Sequence, residues 1–562
     1  MSDEQGLDVL VIGGGVTGAG IAVDAATRGL RVGIVEAQDW ASGTSSRSSK
    51  LVHGGLRYLQ MLDFKLVHEA LTERDLLLSE TAPHLVRAVP FLYPLEHRVW
   101  ERGYVGAGIS LYDALASLSS RRRATPFHRH FSRKQLAAAF PDLRDDVAVG
   151  AIQYWDAQVD DARLVITLVR TAAAHGAYAA NRTQVVELTK DGDRVSGAVV
   201  VDLETGQQHT IKARSVINAT GVWTEDTEAL AGTDAGLKVL ASKGIHIVVP
   251  RARIRGHKGL ILQTEKSVLF VIPWSRYWII GTTDTPYTQD LVDPVATAAD
   301  IEYVLSKAND VLSDPLTRDD IIGAYAGLRP LLQPGTKEGT SSAKVSREHT
   351  TASPAPGLVV IAGGKLTTYR VMAADAVDFA LGDDAEHAPS ITDRVPLAGA
   401  VGFPGARRKA REWAQRFGWD KERMDHLLHR YGGQVADLVG MVTEQPHLAK
   451  PLAHAPDYLR VEIAFAATHE QVLHLEDVLL RRTRLDYEIA DGGLAALDEI
   501  ADIVATHLGW DDQRVKAEKQ SCIERRSALA AAALTDTDAE GQQARAQAPP
   551  ISPLRTLAAD GD

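Results

Sequence analysis

Hydrophobic and polar positions follow several different patterns along this chain. Between Leu7 and Glu36 two short apolar runs flank an alanine-rich stretch, which predicts a strand, a helix and a second strand; the same order returns from Leu358 to Leu381. Apolar and polar residues alternate from 184 to 213 and predict an antiparallel meander. Short strands without intervening helices follow from 239 to 284, and beyond about residue 401 apolar residues recur at helical spacing. The chain therefore combines strand–helix–strand units, antiparallel strands and a separate helical region.

The first strand–helix–strand unit carries a glycine motif with the spacing of a dinucleotide fingerprint, Gly13, Gly15 and Gly18. The first glycine permits a tight turn, the second leaves room for a pyrophosphate against the backbone, and the third lets helix and strand approach closely. The anion would lie at the N-terminus of the helix that begins near Val16. Glu36 follows at about the 20-residue distance expected for a carboxylate that binds an adenosine ribose. The alternative is a glycine-rich turn without a ligand, and this stretch alone does not distinguish FAD from NAD.

Two more glycine turns follow apolar strands, at Thr220-Gly221 and at Gly363-Gly364. In a doubly wound sheet these turns would lie beside the first one. Three such turns around a meander and an antiparallel sheet favour a flavoprotein in which one chain wraps an extended FAD. The expected fold class is α/β, with a doubly wound FAD-binding domain of Rossmann type, an antiparallel-sheet substrate domain and a C-terminal all-helical domain.

The expected domain boundaries follow these changes of pattern. They are 1–83 for the first part of the FAD-binding domain, 84–146 for a cap or insert with a basic segment, 147–238 for the second FAD-binding part with the meander, 239–334 for the substrate-binding sheet, 335–395 for the closing FAD-binding part, 396–528 for the helical domain and 529–562 for a disordered tail.

Composition narrows the class of protein. Cys522 is the only cysteine among 562 residues, so an intrachain disulfide and a redox thiol pair are excluded, and a reducing cytoplasm is expected. A formal net charge of -12 argues against a nucleic-acid binder. The N-terminus lacks a signal-peptide pattern, and the nearest approach to a membrane span, Val105 to Leu118, is short and interrupted by Asp113. An integral membrane protein is therefore not expected, whereas a peripheral one fits. No metal site is expected, because His469 and His474 do not share a helix face.

Two segments carry concentrated polar chemistry. Residues 37 to 59 form a loop rich in Ser, Thr and Gly around basic side chains, which suits wrapping a phosphate-rich or polar ring ligand; a surface linker is the alternative. Residues 121 to 134 interleave basic residues with Phe127 and Phe131, next to the apolar segment from Trp100 to Leu118. This arrangement could bind anionic lipid, or it is an ordinary solvated charge run.

Several longer segments resemble one protein family. They are TSSRSSKLVHGGLRYL, VDDARLV, NATGVW, KGIHIVVP, FVIPW, IIGTTDTPY, AGLRPL, AGGKLTTYR and LEDVLLRRTRL, and they cover residues 7 to about 525. The chain resembles the FAD-dependent glycerol-3-phosphate dehydrogenases of the aerobic, respiratory type, and the absence of an EF-hand loop after the helical domain resembles the bacterial form. The resemblance implies hydride transfer from C2 of sn-glycerol 3-phosphate to non-covalently bound FAD, giving dihydroxyacetone phosphate, with a membrane quinone as the electron acceptor.

The resemblance, supported by glycine and donor chemistry, also implies the cofactor site. The pyrophosphate is assigned to the first glycine turn, the ribose to Glu36, the flavin ring to the polar loop and adenine to a backbone contact on the meander. The expected FAD-binding residues are Gly13, Gly14, Gly15, Val16, Thr17, Gly18, Glu36, Ser45, Ser46, Ser48, Lys50, Leu51, His53, Val185, Thr220, Gly221, Gly364, Lys365, Leu366 and Thr367.

For the substrate, a phosphate dianion calls for guanidinium groups, and Arg57 and Arg329 lie in glycine-flanked segments of the resemblance. We expect both to clamp the phosphate, with Tyr58 and Lys365 fixing the substrate over the flavin; a structural ion pair is the alternative for either arginine.

Oxidation of an alcohol also requires a base for the hydroxyl proton. His246 is the first candidate and His53 the second, while Thr283 and Asp284 could orient the reacting group. A core or flavin-orienting histidine is the alternative for His246, because strand alternation places it on one face with Gly244 and Val248. The expected catalytic residues are thus His246, Arg329, Arg57 and His53.

The expected partners are glycerol 3-phosphate, a membrane quinone and the inner face of the cytoplasmic membrane, with no nucleic acid. The membrane-binding surface is either the basic segment or the helical domain. A homodimer is compatible with the sequence without being specified by it. Alternatives to the main interpretation are a glycerol-3-phosphate oxidase that uses O₂, an amine or amino-acid oxidase on a related scaffold, and an inactive flavin-binding sensor or scaffold.

Overall fold

The structure is a computed structural model that describes residues 6–56, 63–119, 123–232, 237–264, 268–334 and 349–555. Its strands are β1 (Leu7–Ile12), β2 (Val32–Val35), β3 (Leu51–Val52), β4 (Arg87–Leu95), β5 (Arg129–Ser132), β6 (Gly150–Gln158), β7 (Tyr178–Ala180), β8 (Thr183–Asp191), β9 (Arg194–Asp202), β10 (Gln208–Asn218), β11 (Leu237–Pro250), β12 (Gly259–Gln263), β13 (Val268–Trp274), β14 (Tyr277–Gly281), β15 (Thr285–Pro286), β16 (Gly323–Pro334), β17 (His349–Ala355) and β18 (Leu358–Gly363).

The α-helices are numbered along the same described ranges. They are α1 (Val16–Thr27), α2 (Phe64–Leu76), α3 (Trp100–Ser119), α4 (Arg133–Ala139), α5 (Asp161–Ala174), α6 (Thr224–Ala229), α7 (Ala298–Asn309), α8 (Tyr369–Leu381), α9 (Phe403–Phe417), α10 (Lys421–Tyr431), α11 (Val435–Glu444), α12 (Arg460–His469), α13 (Leu475–Asp477), α14 (Leu485–Glu488), α15 (Leu497–Leu508), α16 (Asp512–Ala532) and α17 (Asp538–Arg545).

The first sheet has the strand order β17-β18-β10-β1-β2-β7, in which every pair except β17 with β18 is parallel. Helices α1, α5 and α8 pack on one face through buried small and branched residues, whereas the β8–β9 meander contributes to a core on the other. The three glycine turns follow β1, β10 and β18, which are neighbours in the sheet. Because carboxyl ends of parallel strands lie at one edge, these turns converge there, as expected.

The meander differs from its sequence prediction in one respect. The sequence pattern treats the meander, which ends at residue 213, and the apolar strand before Thr220-Gly221 as separate elements, whereas β10 runs continuously from Gln208 to Asn218. Its first half pairs with β9, and its second half pairs with β1. One strand therefore joins the meander to the parallel sheet. Asp160 precedes α5 and caps it, because its side chain accepts a hydrogen bond from the Arg163 backbone N–H.

The second sheet is mainly antiparallel and has the order β15-β11-β14-β13-β12-β4-β6-β3, with β16 on β11 and β5 on β6. Alternation along β11 divides its residues between two environments. Ile245 and Ile247 belong to a core with Val304 of α7, whereas Gly244 and His246 face a large cavity. Strands β4 and β5 come from the range expected to be a cap or insert, and β6 comes from the range expected to continue the FAD-binding domain.

Buried charges join the C-terminal helices to the first sheet. Arg482 donates to both carboxylate oxygens of Asp39, with N–O distances of 2.7 and 2.8 Å, and Arg163 on α5 pairs with Glu470. Trp40 donates its indole N–H to Gln471 at 2.8 Å. The loop after Glu36 is therefore held by the helical domain.

The expectation of a disordered tail from residue 529 was wrong for the residues that the structure describes. Helix α16 continues to Ala532, α17 follows, and the chain is described as far as Arg555. Composition did not predict this order, because the segment is held by hydrogen bonds and ion pairs to other parts of the chain and not by a hydrophobic core of its own.

Within the described ranges, none of the helices combines the length and apolar character needed to cross a bilayer.

Candidate active site

A cavity of about 560 Å³ lies between the glycine-turn edge of the first sheet and one face of the second. One part of its wall contains Glu36 and Val185, and another contains His246 and Arg329. The volume lies within the range of small-molecule and cofactor sites. Both groups of sequence-predicted residues therefore open into a single cavity.

The first glycine turn shows why each glycine is required. Gly13 has a φ of +111°, and a Cβ there would lie 2.7 Å from Ala219 O in the neighbouring turn. A Cβ on Gly18 would lie 1.9 Å from Gly13 O, so this glycine allows α1 to approach its own turn. At Gly15, by contrast, a Cβ would meet only Ser45 Oγ within 4 Å, at 3.2 Å. Gly15 therefore leaves its backbone open toward the cavity.

Glu36 lies at the end of β2 and is held by backbone donors. Its carboxylate accepts hydrogen bonds from Gly14 N at 2.6 Å and Gln38 N at 2.8 Å. Burial raises its pKa, and these two hydrogen bonds act in the opposite direction. The side chain is thus fixed at the cavity wall beside the glycine turn.

Some of the predicted residues in the polar loop (37–59) line the cavity, and others do not. Ser48 lines the cavity and donates from N and Oγ to Asp161, at 3.0 and 2.7 Å. Lys50 is fully buried, and its Nζ donates to Asp161 at 2.5 Å and to Ser46 O at 3.1 Å. Lys50 therefore fixes the loop to α5 instead of lining the cavity, because its charge is paired inside the protein.

His53 and the third glycine turn are joined by a reciprocal pair of hydrogen bonds. Thr367 Oγ1 accepts from His53 N and donates to His53 O, each at 3.1 Å. His53, Gly364, Lys365 and Leu366 line the cavity, whereas Thr367 stands behind them. Thr367 is thus placed to position the loop.

Arg329 reaches the cavity because two glycines leave space. Residues 242, 244 and 246 of β11 lie opposite 329, 327 and 325 of β16, so their side chains share one face. A Cβ on Gly244 would lie 2.4 Å from Arg329 Nη2, and therefore only glycine accommodates the guanidinium there. Arg329 donates to Thr283 O at 3.1 Å and to Thr282 Oγ1 at 2.9 Å.

Arg329 also lies close to a carboxylate. Its Nη1 lies 3.4 Å from Asp284 Oδ1, and Asp284 also accepts from Ser242 Oγ. The guanidinium lines the cavity, where its planar set of N–H donors suits phosphate recognition.

His246 is buried beside this guanidinium. Its Nε2 is 2.8 Å from Ser49 Oγ, and its ring stacks on Tyr325 with centroids 4.9 Å apart. Nδ1 is buried and has no hydrogen-bond partner among the residues that the structure describes. Burial, followed by the positive charges of Arg329 and Lys50, holds the His246 pKa well below its usual value. The imidazole is therefore neutral at pH 7, with one nitrogen able to accept a proton.

Comparison with known proteins decides the family. Residues 8–370 match the model of FAD dependent oxidoreductases, and residues 390–515 match the model of the C-terminal domain of alpha-glycerophosphate oxidase. Glycerol-3-phosphate dehydrogenase 2 of Mycobacterium tuberculosis is 50% identical over 543 residues, covering 96% of this chain and 92% of the relative. The chain belongs to the family of FAD-dependent glycerol-3-phosphate dehydrogenases.

More distant members of the family extend this relationship. The mitochondrial glycerol-3-phosphate dehydrogenase of Homo sapiens is 35% identical, over 92% of this chain and 72% of the relative. The X-ray structure of the Bacillus halodurans glycerol-3-phosphate dehydrogenase complexed with FAD is 30% identical, with a TM-score of 0.75 and coverage of 93% and 94%. The resemblance seen in the sequence motifs, the enzyme class and the expected fold are confirmed.

FAD is the cofactor of this family, and the residues of this chain fit it. The open backbone at Gly15 would admit a pyrophosphate, and Glu36 lies in the same cavity to accept from a ribose. The cavity continues from there to His246 and Arg329, so a bound flavin ring would have space between the nucleotide end and the candidate substrate end.

The structure places most predicted site residues in the cavity wall. The lining members are Gly13, Gly15, Val16, Thr17, Glu36, Ser45, Ser48, Leu51, His53, Val185, Thr220, Gly221, His246, Asp284, Arg329, Gly364, Lys365 and Leu366. Gly14, Gly18, Ser46, Lys50, Thr283 and Thr367 stand behind this wall. The predictions for Arg57 and Tyr58 lie outside the described residues.

Some residues of the site were not predicted from the sequence, because only contacts between distant segments bring them there. Tyr325 lies opposite His246 in the β11–β16 register and donates to Ser48 O at 3.0 Å. Ser49 belongs to the predicted loop but was not selected, because its contact with His246 depends on the fold. Leu554 and Arg555 also line the cavity, and they lie in the segment that was expected to be disordered.

Proposed function

We propose that this protein oxidises sn-glycerol 3-phosphate to dihydroxyacetone phosphate and passes the electrons to a membrane quinone. The observation that carries the proposal is the placement of Arg329 and His246 on one face of the second sheet, in the same cavity as the dinucleotide turn. When bound, FAD supplies a two-electron acceptor for hydride. The substrate is suggested by the names of the relatives, and the site supplies chemistry suited to it.

Arg329 would bind the phosphate of the substrate. Its side chain is held by Thr282 and Thr283 and remains about one-quarter exposed to the cavity. A guanidinium presents N–H groups in a planar fork that matches phosphate oxygens. Lys365 lines the same cavity and would add a second cation, while Arg57 and Tyr58 remain proposals of the sequence.

His246 would take the hydroxyl proton as hydride leaves C2. If Nε2–H donates to Ser49, the lone pair of Nδ1 is the available base. Arg329 lowers the pKa of His246, and a phosphate dianion bound at Arg329 would offset that positive charge. Substrate binding would thus strengthen the base at the moment when it is needed. His53 is the second candidate because it lines the same cavity.

Anaerobic titration tests the main proposal. We expect the yellow flavin absorbance of the purified holoprotein to bleach stoichiometrically on addition of glycerol 3-phosphate. Glycerol, which lacks the phosphate, and a 2-amino acid serve as matched alternatives and should leave the flavin oxidised. A holoprotein that stays yellow with glycerol 3-phosphate would contradict the proposal and favour a sensor or scaffold.

The acceptor requires a separate measurement. The C-terminal match is to a model described for an oxidase, so oxygen is the alternative that must be tested. After substrate has bleached the flavin, we expect rapid reoxidation by a soluble quinone analogue and slow reoxidation by air-saturated buffer. Faster reoxidation by air than by the quinone analogue would assign the chain to the oxidases.

A quinone acceptor requires contact with a membrane surface, and α3 with its surroundings supplies a candidate. Trp100 and Tyr104 on α3 are each 64% exposed, and Phe127 is 63% exposed. The Arg123 guanidinium lies 3.8 Å from the Phe127 ring centroid. Exposed aromatic residues beside basic ones are typical of contact with anionic lipid headgroups. We therefore favour this surface over the helical domain for docking.

Sedimentation with phosphatidylglycerol-containing vesicles distinguishes the two surfaces. We expect replacement of Trp100, Tyr104 and Phe127 by serine to reduce the bound fraction several-fold. Val401→Ser, at an exposed position just before α9, is the matched control and should bind as wild type does. The reverse outcome would move the membrane contact to the helical domain.

A further inference from the structure

The segment from Ala533 to Arg555, here called the C-terminal segment, runs along the outside of the cavity instead of leaving the protein. Near its start, Ala298 N donates to Thr535 O at 2.7 Å, and Asp538 pairs with buried Lys243 of β11. Further on, Arg545 binds Asp293 at 3.0 Å, the same carboxylate that holds Arg47 at the cavity wall. The segment is therefore anchored close to the candidate substrate end.

Its last described residues are anchored at the other end of the cavity. The Gln184 side chain donates to Arg555 O at 2.9 Å and accepts from Arg555 N at 2.8 Å. Ser552 donates to Glu204 at 2.5 Å, and Glu204 is bonded to His474 of the helical domain at 2.8 Å. A paired amide–backbone contact of this kind fixes both the position and the direction of the chain.

This anchoring brings Leu554 and Arg555 into the cofactor cavity. Both line the cavity that also contains Glu36 and Val185, and Gln184 is the immediate neighbour of Val185 on β8. Leu554 is half-buried, whereas Arg555 is exposed and places Nη2 3.3 Å from Gly206 O. The two side chains thus offer an apolar surface and a planar cation at the nucleotide end.

We propose that Leu554 and Arg555 bind the adenosine half of FAD, so that the C-terminal segment retains the cofactor. An apolar side chain suits the face of an adenine ring, and a guanidinium can stack on such a ring or attract the nearby pyrophosphate. The anchors at Gln184, Glu204 and His474 act as positioning groups. This proposal concerns flavin binding alone and stands whether or not glycerol 3-phosphate is the substrate.

Release of FAD from the holoprotein tests the proposal, because free FAD is more fluorescent than bound flavin. For the double variant Leu554→Ala/Arg555→Ala we expect release to be roughly 10- to 100-fold faster, from the loss of apolar contact and of one cation. Termination after Ala548 should have at least the same effect. Leu534→Ala, at a 76% exposed position in the same segment, is the matched control and should release FAD as wild type does.

A second readout separates cofactor binding from general stability. We expect the apoprotein of the double variant to unfold at the wild-type temperature, and the flavin-saturated variant to be reduced by substrate at the wild-type rate. Release within about twofold of wild type in the double variant would overturn the proposal, even if the truncated protein loses FAD or fails to fold. The proposal would also be overturned if the apoprotein of the double variant lost as much stability as the variant lost in FAD binding. The segment would then affect FAD by stabilising the fold and not by contacting the cofactor.

Discussion

At the scale of single residues, the site depends on a charge next to a neutral base. Arg329 and His246 share one face of the β11–β16 pair, and the guanidinium contributes to the lowered pKa of the imidazole. Both residue types and their glycine-flanked settings could be selected from the sequence. Tyr325 and Ser49 could not, because their contacts depend on strand register and loop path rather than on local pattern.

Arg329→Lys should weaken substrate binding while leaving the flavin in place. A lysine offers one compact ammonium in place of a planar fork, so we expect KM for glycerol 3-phosphate to rise roughly 10- to 100-fold. Arg253→Lys is the matched control, because Arg253 binds Asp314 and Asp320 at the surface. Steady-state kinetics on FAD-saturated protein measure the effect; an unchanged KM would remove Arg329 from phosphate binding.

His246→Gln should slow flavin reduction by roughly 10²- to 10⁴-fold, the usual contribution of a positioned base. Because the pKa of His246 in the substrate-free protein lies well below its usual value, wild-type flavin reduction at substrate concentrations well below saturation should show no histidine ionisation between about pH 6.5 and 8. Stopped-flow absorbance measures both quantities. If the Gln variant keeps its FAD and is reduced at the wild-type rate, His246 is not the base, and His53→Gln becomes the decisive variant.

At the scale of elements, the β1–turn–α1 unit uses different glycines for folding and for cofactor binding. The sequence predicted this unit in full because strand, glycines and helix are adjacent in the chain. It also predicted β18 and α8, for the same reason. It could not show that β10 unites meander and parallel sheet, or that β4, β5 and β6 join the second sheet, because such pairings link distant segments.

Gly15→Ala and Gly18→Ala should therefore fail in different ways. A methyl group on Gly15 points toward the cavity, so we expect the apoprotein to keep its stability and FAD affinity to fall by at least about tenfold. A methyl group on Gly18 would collide with Gly13 O, so we expect a loss of roughly 1 to 3 kcal/mol in unfolding free energy. Denaturant unfolding of apoproteins and flavin titration measure the two effects. Equal stability losses would contradict this division.

At the scale of the whole molecule, distant parts of the chain complete the cofactor cavity. Asp39 in the FAD-binding domain is held by Arg481 and Arg482 of the helical domain, and Leu554 closes the cavity from the other side. The LEDVLLRRTRL motif marked these arginines in the sequence without revealing their partner. The order of the C-terminal segment was not predictable, because it depends on side chains as distant as Lys243 and Gln184.

Arg482→Leu should uncouple the helical domain from the loop after Glu36. The change removes two hydrogen bonds to fully buried Asp39 and leaves that carboxylate with less compensation, so we expect a loss of roughly 3 to 5 kcal/mol. Arg394→Leu, at an exposed ion pair with Asp393, should change stability by less than about 1 kcal/mol. Thermal unfolding of the two variant holoproteins measures both losses of stability. A loss for Arg482→Leu as small as that for Arg394→Leu would show that the buried pair adds little to stability.

His474 gives the whole molecule a pH-dependent contact between the helical domain and the C-terminal segment. Burial alone would lower its pKa, but hydrogen bonds to Glu204 and Glu518 raise it to about 9, and Asp477 adds to the increase while Arg182 opposes it. A pKa above the unfolded value of about 6.5 means that the folded state binds the proton more tightly. This contribution is fully present below about pH 6.5 and is lost as pH rises through about 9.

The consequence is a loss of stability on the alkaline side that depends on this histidine. Between about pH 6.5 and 9.5 we expect the unfolding free energy of the wild type to fall by up to roughly 3 kcal/mol more than that of His474→Gln. The neutral amide of the variant cannot lose a proton in this range. Chemical denaturation at intervals across this range measures the difference. Because Ser552 lies 3.3 Å from His474 Nε2 and binds Glu204, the release of FAD should accelerate over the same interval. Parallel pH curves for wild type and variant would show that His474 is not the group responsible.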